Sequence, residues 1–208
     1  EAGIESRVFE TDIRYSSTGQ SFNPDGNLIS TPDTDFIYGM DIYSAYATFG
    51  QRYDKWSYQV GLRVEDVEVK ADTNQVRTFT DKYTEFYPSG FVAFNPSEKN
   101  QFQVSFSRRV DRPGLTQVNP IREWSTPLIS SFGNPNLLPQ FTMSYEANYT
   151  RRFKNGSLTS GVFYRSITDE INRAVYIDRL DLNRIILSFV NFDNTSSYGL
   201  EISGNYKL

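Results

Sequence analysis

Apolar and polar residues alternate along four segments of the chain. From Trp56 to Val64 every second residue is apolar, and the residues between them are polar or glycine. The same period of two runs through residues 101–107, 141–150 and 198–208. A period of two places the apolar side chains on one side of a pleated strand, whereas a helix would scatter them around its circumference. The pattern therefore predicts four long β-strands, each with one apolar and one polar face.

Five further segments show a weaker alternation and extend the predicted sheet. They are residues 4–15, 36–49, 83–94, 158–171 and 184–192. Pro88, in the third of them, has no amide donor, so we expect it at a bulge or an unpaired position. The sequence therefore predicts an all-β protein, an antiparallel up-and-down meander of about nine long strands.

The predicted connections alternate between short and long. Short links lie at 52–55, 95–100, 154–156 and 193–196, and long ones lie at 16–35, 71–82, 110–140 and 172–183. Aromatic residues cluster near the short links: Phe49, Tyr53, Trp56, Phe94, Phe102, Phe153, Phe192 and Tyr198. Short turns at one end, long loops at the other and an aromatic girdle are typical of transmembrane β-barrels. A soluble sandwich would also alternate, but it has less reason to keep the loop asymmetry, so we predict part of a transmembrane β-barrel.

The amino-acid composition excludes several kinds of functional site. The chain has 208 residues, a formal net charge of −4 and neither His nor Cys. A net negative charge argues against a nucleic-acid partner. Without His and Cys, this sequence cannot supply disulfides, thiolate zinc sites, Cys nucleophiles or His general bases. Carboxylates such as Asp169 and Glu170 have no second motif to fix a catalytic geometry, so we do not expect an enzyme. We also expect neither a cofactor nor a metal site.

Two motifs resemble a known family. Residues 105–114 read Ser-Phe-Ser-Arg-Arg-Val-Asp-Arg-Pro-Gly, and residues 133–140 read Gly-Asn-Pro-Asn-Leu-Leu-Pro-Gln. The strand, long loop and next strand that carry them resemble the barrel of TonB-dependent outer-membrane receptors, in the version common in Bacteroidetes. In that family a Lys or Arg and a Glu usually stand where this chain has Leu138 and Gln140. We infer no altered function from that difference.

The resemblance implies a larger assembly than this chain. Such receptors close 22 strands around a plug domain, and about nine strands cannot close that barrel. We therefore expect residues 1–208 to form a single barrel segment without a plug, cut at both ends, in the bacterial outer membrane. The resemblance implies these partners: membrane lipid, a nutrient such as a siderophore or glycan, and the plug domain and TonB through the rest of the parent chain. The alternative is a soluble β-barrel or sandwich that binds a ligand such as a carbohydrate.

The candidate ligand-binding residues lie in and beside the loop 110–140. Arg108, Arg109 and Arg112 stand where a strand passes into this loop, and they could attract an anionic ligand. We favour a structural role, in which one of them faces the barrel lumen and pairs with a carboxylate such as Glu146. Other inward-facing charges, such as Arg63, are expected to form a polar wall that contacts the plug.

Further along the same loop, Arg122, Trp124 and Phe132 could stack on a sugar or siderophore and hydrogen-bond to it. A loop of this length is seldom a mere connection in a compact domain. The alternative is that it packs on neighbouring loops, and the sequence does not decide between the two.

Overall fold

Long antiparallel strands dominate the computed structural model, which describes residues 1–16, 20–22, 28–30, 33–179 and 181–207. Half of the predicted long loop 16–35, namely residues 17–19, 23–27 and 31–32, therefore lies outside the described residues. In chain order the elements are β1 (Ala2–Tyr15), β2 (Gln20–Phe22), β3 (Leu28–Ser30), β4 (Thr34–Arg52), β5 (Trp56–Thr73), β6 (Val76–Ser97), β7 (Asn100–Asp111), α1 (Leu115–Val118), β8 (Glu123–Thr126), β9 (Ile129–Ser131), β10 (Gln140–Phe153), β11 (Gly156–Thr168), β12 (Glu170–Ile177), β13 (Ile185–Phe192) and β14 (Thr195–Tyr206). None of the described helices has the length and apolarity needed to cross a membrane.

The main sheet is an up-and-down meander. Among the described residues it contains eight strands in the order β1-β4-β5-β6-β7-β10-β11-β14, and every neighbouring pair is antiparallel. The first and last strands do not pair with each other, so the sheet is open. The predicted all-β, antiparallel up-and-down meander is confirmed.

The predicted ninth strand lies elsewhere. Of the predicted strand 184–192, Ile185–Phe192 form β13, which belongs to a smaller sheet of order β12-β13-β9-β8. The predicted short link 193–196 is therefore at the long-loop end, where Thr195 pairs with Ile167 near the end of β11. Alternation within a loop hairpin resembles that of a wall strand, and for this reason the sequence pattern placed β13 wrongly.

The predicted long connection 71–82 is also wrong. It is a tight turn at Asn74 and Gln75, which both have positive φ, 51° and 63°, and the strands continue on either side of it. Because of this turn, short and long links do not alternate without exception. The residues that looked like loop are polar because this hairpin extends beyond the apolar part of the sheet.

The apolar stripe changes face along β5. Trp56, Tyr58, Val60, Leu62 and Val64 lie on what we call the outer face, together with Val104 and Leu200 of other strands. Beyond Val64 the outer residues become Asp66, Glu68 and Lys70, while the inner residues become Val67, Val69 and Ala71. We call the half of the sheet from the short turns up to the level of Val64 the lower half, and the half beyond Val64 the upper half. The lower half is therefore apolar on its outer face, and the upper half is apolar on its inner face.

A hydrophobic core fills the inner side of the upper half. It contains these buried residues: Phe36, Tyr38, Met40, Ile42, Val67, Val69, Ala71, Val118, Ile121 and Leu137. Three of them come from the loop 112–139, so the loop covers the upper half of the sheet. Burial raises the pKa of the Tyr38 phenol to about 12.

Aromatic rings border the lower edge of the outer face. Trp56 stacks on Phe94 with centroids 4.4 Å apart, and Phe102 stacks on Tyr149 at 4.7 Å. This agrees with the predicted girdle near the short turns. Two predicted members lie elsewhere, because Phe192 ends β13 and Tyr198 pairs with Tyr164 higher on the sheet.

Candidate ligand-binding loop and inner wall

The Gly-Asn-Pro-Asn-Leu motif folds the loop back on itself. The Gly133 amide donates to the Asn119 carbonyl at 2.6 Å, and the Asn134 amide donates to the Gln117 carbonyl at 2.7 Å. A Cβ atom on Gly133 would lie 2.5 Å from the Gln117 carbonyl oxygen, so only glycine allows this close approach. Leu137 ends the motif inside the core, with 3% of its surface exposed. The motif therefore has a structural role.

Asn191 on β13 fastens the end of the loop, and the sequence analysis missed it. Its side-chain oxygen accepts a hydrogen bond from the Leu138 amide at 2.9 Å. Its side-chain nitrogen lies 2.9 Å from both the Leu138 and the Asp169 carbonyl oxygens. Gln140 similarly accepts from the Ile171 amide at 2.9 Å. An isolated Asn at the end of a strand has no motif around it, so nothing in the sequence marked this role.

Arg112 ties the start of the loop to the inner face of β5. Its guanidinium hydrogen-bonds to the Glu65 carboxylate, and its Nε donates to the Tyr83 hydroxyl at 3.3 Å. Glu65 also accepts from Arg63 at 2.6 Å, and Arg63 reaches Glu5 on β1 at 2.9 Å. This charged network, of which Arg112 is a member, links β1, β5, β6 and the loop.

Glu65 is the centre of this network and is 5% exposed. Burial by itself raises the pKa of its carboxyl, but hydrogen bonds from Arg63 and Arg112 outweigh that effect and hold the pKa below its usual value. Burial also raises the pKa of the Tyr83 phenol, against the opposing effect of Arg112. The Glu65 carboxylate is therefore an anion whose hydrogen-bond donors are side chains of the protein itself.

Arg108 and Arg109 occupy different environments. Arg108 donates to the Glu85 carboxylate at 2.5 Å and to the Phe86 carbonyl at 2.7 Å, and its guanidinium lies 4.5 Å from the Phe141 ring centroid. Arg109 points to the inner face and lines a cavity of about 260 Å³. No salt bridge joins Arg109 to any other residue that the structure describes. Of the three arginines, Arg109 keeps its charge available.

Polar side chains of the inner wall line the cavity beside Arg109. They include Gln59, Ser89, Gln103, Ser107, Ser144 and Glu146. Glu146 lies 3.7 Å from Arg165 on β11, so the carboxylate that we expected to pair with a loop arginine has a wall partner instead. This wall can offer hydrogen-bond donors, acceptors and one unpaired cation to a polar ligand.

Arg122 and Trp124 belong to a second cluster, which joins β8 to the β12–β13 hairpin. Arg122 donates to Asp178 at 2.6 Å and to the Ser130 hydroxyl at 2.9 Å. Its guanidinium lies 4.5 Å from the centroid of Trp124, and the guanidinium of Arg184 lies 5.2 Å from the same centroid. Trp124 is still 49% exposed. The structure brings these two predicted site residues together.

Phe132 does not join the Trp124 cluster through any contact that the structure gives. Its amide donates to the Leu187 carbonyl at 3.1 Å, beyond the last residue of β9. Its ring is half-buried. The six candidate residues are therefore spread over the wall, the base of the loop and the small sheet. Within the described part of the chain, no three carboxylates lie close enough to hold a metal ion.

Comparisons with known proteins agree with this architecture. The family model described as "Outer membrane protein beta-barrel family" matches residues 1–208. None of the curated proteins gives a match. Among solved structures, a double mutant of the Serratia marcescens hemophore receptor HasR, in complex with its hemophore HasA and heme, is 15% identical with a TM-score of 0.65. The copper transporter OprC is 14% identical with a TM-score of 0.63, and the apoprotein form of the FrpB iron transporter from Neisseria meningitidis is 14% identical with a TM-score of 0.55.

The coverage of these structures shows what part of a barrel the chain represents. Each match covers 100% of this chain but only 40% of HasR, 32% of OprC and 34% of FrpB. The chain therefore spans between about a third and two fifths of these three proteins. At these identities the likeness shows the fold, and it supports the resemblance to receptor barrels. The Bacteroidetes version of the family stays a prediction.

Proposed function

The chain belongs to the outer membrane protein beta-barrel family and lies in the bacterial outer membrane, and from this premise we propose that it forms part of a TonB-dependent receptor that binds and imports a nutrient. Residues 1–208 supply one segment of the barrel wall, and the plug domain and further strands lie elsewhere in the parent chain. The imported nutrient is a bulky polar molecule such as a siderophore or a glycan. A soluble carbohydrate-binding module does not agree with the family to which the chain belongs.

The inversion of polarity along β4–β6 carries this proposal. In the lower half, apolar residues from Trp56 to Val64 face outward, as lipid requires, and Gln59 and Arg63 face inward. In the upper half, Asp66, Glu68 and Lys70 face outward, as water requires. A nine-residue strand tilted by about 45° is long enough to cross the bilayer core. A soluble module has no reason to reverse the polarity of both faces at one level.

The inner wall provides a route for a polar nutrient. The cavity of about 260 Å³ is lined by amides, hydroxyls, the guanidinium of Arg109 and the carboxylate of Glu146, which is paired with Arg165. We assign the first contact to the exposed face of Trp124 and the later contact to Arg109. The other arginines serve the wall and the loop, because Arg108, Arg112 and Arg122 are engaged by Glu85, Glu65 and Asp178. The mechanism is capture and passage, without bond-making.

Growth of the native host tests this function. A strain that lacks the parent gene is compared with wild type on heme or a ferric siderophore as the sole iron source, and on single oligosaccharides as the sole carbon source. We expect the deletion to abolish growth on one of these nutrients and the wild-type gene to restore it. Equal growth of both strains on every nutrient would refute import by this receptor.

Two variants of the restored gene locate the route. Arg109→Glu reverses the available charge of the inner wall and is expected to reduce uptake of an anionic ferric siderophore. Arg14→Glu is the matched control, because Arg14 is an exposed cation near the upper end of β1. Heat-modifiable gel mobility of the extracted receptor shows in each case that the barrel has formed. If both variants transport equally well, Arg109 has no part in the route.

A further inference from the structure

An apolar groove crosses the lower part of the outer face. Its volume is about 270 Å³, and six apolar side chains face outward along it: Phe102, Val104, Ala147, Tyr149, Val162 and Leu200. The small polar side chain of Ser160 also faces outward there, beside Tyr149. The groove exists because Ala147 is small and stands between Val104 and Val162 in the pairing register. It lies on the face that we place against lipid, so we expect lipid rather than water to fill it.

A cation ends the groove at the short-turn end. Arg151 follows Tyr149 on the same outward stripe of β10, just past the aromatic row. Its Nη1 donates to the Asn100 side-chain oxygen at 3.0 Å, and the Tyr149 hydroxyl donates to the same oxygen at 2.7 Å. Within the residues that the structure describes, no carboxylate forms a salt bridge with Arg151. Asn100 therefore holds the guanidinium beside the groove, and the other N–H donors remain available.

The surrounding short-turn rim is strongly cationic, although the chain has a net charge of −4. Among the described residues of this rim, the acidic side chains are Asp54 and Glu98, and the cationic ones are Arg52, Lys55, Lys99, Arg151, Arg152, Lys154 and Lys207. The turns after β6 and β10 adjoin, because the Arg152 amide donates to the Lys99 carbonyl at 2.8 Å. A row of cations beside an aromatic girdle matches an anionic lipid surface.

We propose that the Arg151 groove, defined by Arg151 and the six apolar side chains named above, binds an anionic glycerophospholipid of the phosphatidylglycerol type from the periplasmic leaflet. One acyl chain lies over Ala147, and the phosphate accepts hydrogen bonds from Arg151. The assignment rests on the outer-membrane location and on the usual orientation with short turns in the periplasm. It does not depend on which nutrient the receptor imports.

The chemistry favours this lipid over the other membrane components. A guanidinium can give two parallel hydrogen bonds to a phosphate, and a net anionic headgroup is attracted to the rim as a whole. A zwitterionic ethanolamine headgroup adds an ammonium close to these cations, which weakens its attraction. Lipid A carries phosphates as well, but it belongs to the opposite leaflet, where the long loops lie.

Native mass spectrometry of the full-length parent receptor tests the site. The receptor is purified in detergent and equilibrated with equal amounts of phosphatidylglycerol and phosphatidylethanolamine, and in a separate arm with lipid A. We expect phosphatidylglycerol adducts to predominate. Arg151→Gln should lower their affinity about five-fold, because the phosphate loses the direct hydrogen bonds from the guanidinium, worth about 1 kcal/mol. Ala147→Leu should displace the bound lipid by filling the groove, and an outward leucine leaves the barrel intact.

Lys55→Gln is the matched control, since it removes a cation from the same rim at a different turn. It should leave the adducts within two-fold of wild type. Equal binding of both phospholipids, unchanged binding by Arg151→Gln, an equal loss in Lys55→Gln, or a preference for lipid A would each overturn the proposal. Growth assays on the same variants separate this question from import, because a receptor that fails to import can still bind the lipid.

Discussion

Replacing Gly133 by alanine tests whether the Gly-Asn-Pro-Asn-Leu motif fastens the long loop to the sheet. The new Cβ would lie 2.5 Å from the Gln117 carbonyl oxygen and 2.7 Å from the Asn119 nitrogen. Both are backbone atoms, so no side chain can rotate away. The two chain segments must separate by about 1 Å to restore ordinary van der Waals contact.

The magnitude follows from the hydrogen bonds that this separation breaks. Moving the segments apart by about 1 Å takes the Gly133–Asn119 and Asn134–Gln117 bonds, now 2.6 and 2.7 Å, beyond hydrogen-bonding distance. Each lost bond costs about 1 kcal/mol, and each donor left unsatisfied adds to that. We expect the loop to lose about 2–4 kcal/mol of stability against local opening.

Hydrogen exchange of the full-length receptor in detergent measures this loss. Amide protection in residues 112–139 should fall by about 30- to 1,000-fold, and that of the lower sheet should not change. Gly114→Ala is the control in the same loop, because its Cβ would meet only the flexible Gln117 side chain at 3.7 Å. Unchanged protection in Gly133→Ala, or an equal loss in both variants, would refute a fastening role for Gly133.

Three further predictions concern the charged network, the membrane face and the loop anchor. Glu65→Gln should destabilise the loop by about 2–3 kcal/mol, because Arg112 loses a buried partner. Because the pKa of Glu65 is lowered in the folded state, wild type keeps this contribution above about pH 4.5 and loses it as the pH falls through the folded-state pKa. Hydrogen exchange from pH 7 to 3 shows whether the variant lacks that acid-dependent loss of protection. Val104→Arg should lower barrel stability by about 2–4 kcal/mol in urea titrations in lipid, whereas Ser105→Arg, on the inner face, should change it by less than about 1 kcal/mol. Asn191→Ala should expose the segment around Leu138 to limited proteolysis, with a stability loss of about 1–3 kcal/mol, and a wild-type cleavage pattern would contradict its anchoring role.

Period-two alternation was enough to predict the wall strands. The strand segment from Trp56 to Val64 has lipid on its outer face and the lumen on its inner face. The alternation of apolar and polar residues therefore matches the two environments. The extension of β5 and β6 toward Asn74 could not be predicted in the same way. There the environment outside changes from lipid to water, and the polarity of each face reverses with it. A polar stretch such as 71–82 therefore resembles a loop although it continues two strands.

The candidate site was less predictable, because an arginine in a sequence does not reveal its partner. Arg112 and Glu65 are separated by 47 residues, and only the fold brings them into contact. Arg108 and Arg109 are adjacent in sequence, yet one pairs with Glu85 and the other lines the inner cavity. Adjacent residues on a strand point to opposite faces, so these two had to differ.

Ion pairs made by the loop arginines limit which charged side chains are available to recognise a ligand. The guanidiniums of Arg112 and Arg122 are held by Glu65 and Asp178, and releasing either one would take a salt bridge away from a buried carboxylate. A ligand that recruits them must supply more binding energy than this loss. Arg109 needs no such exchange, because its charge already faces the cavity. Under the proposed function, an anionic nutrient would therefore gain most from the inner wall.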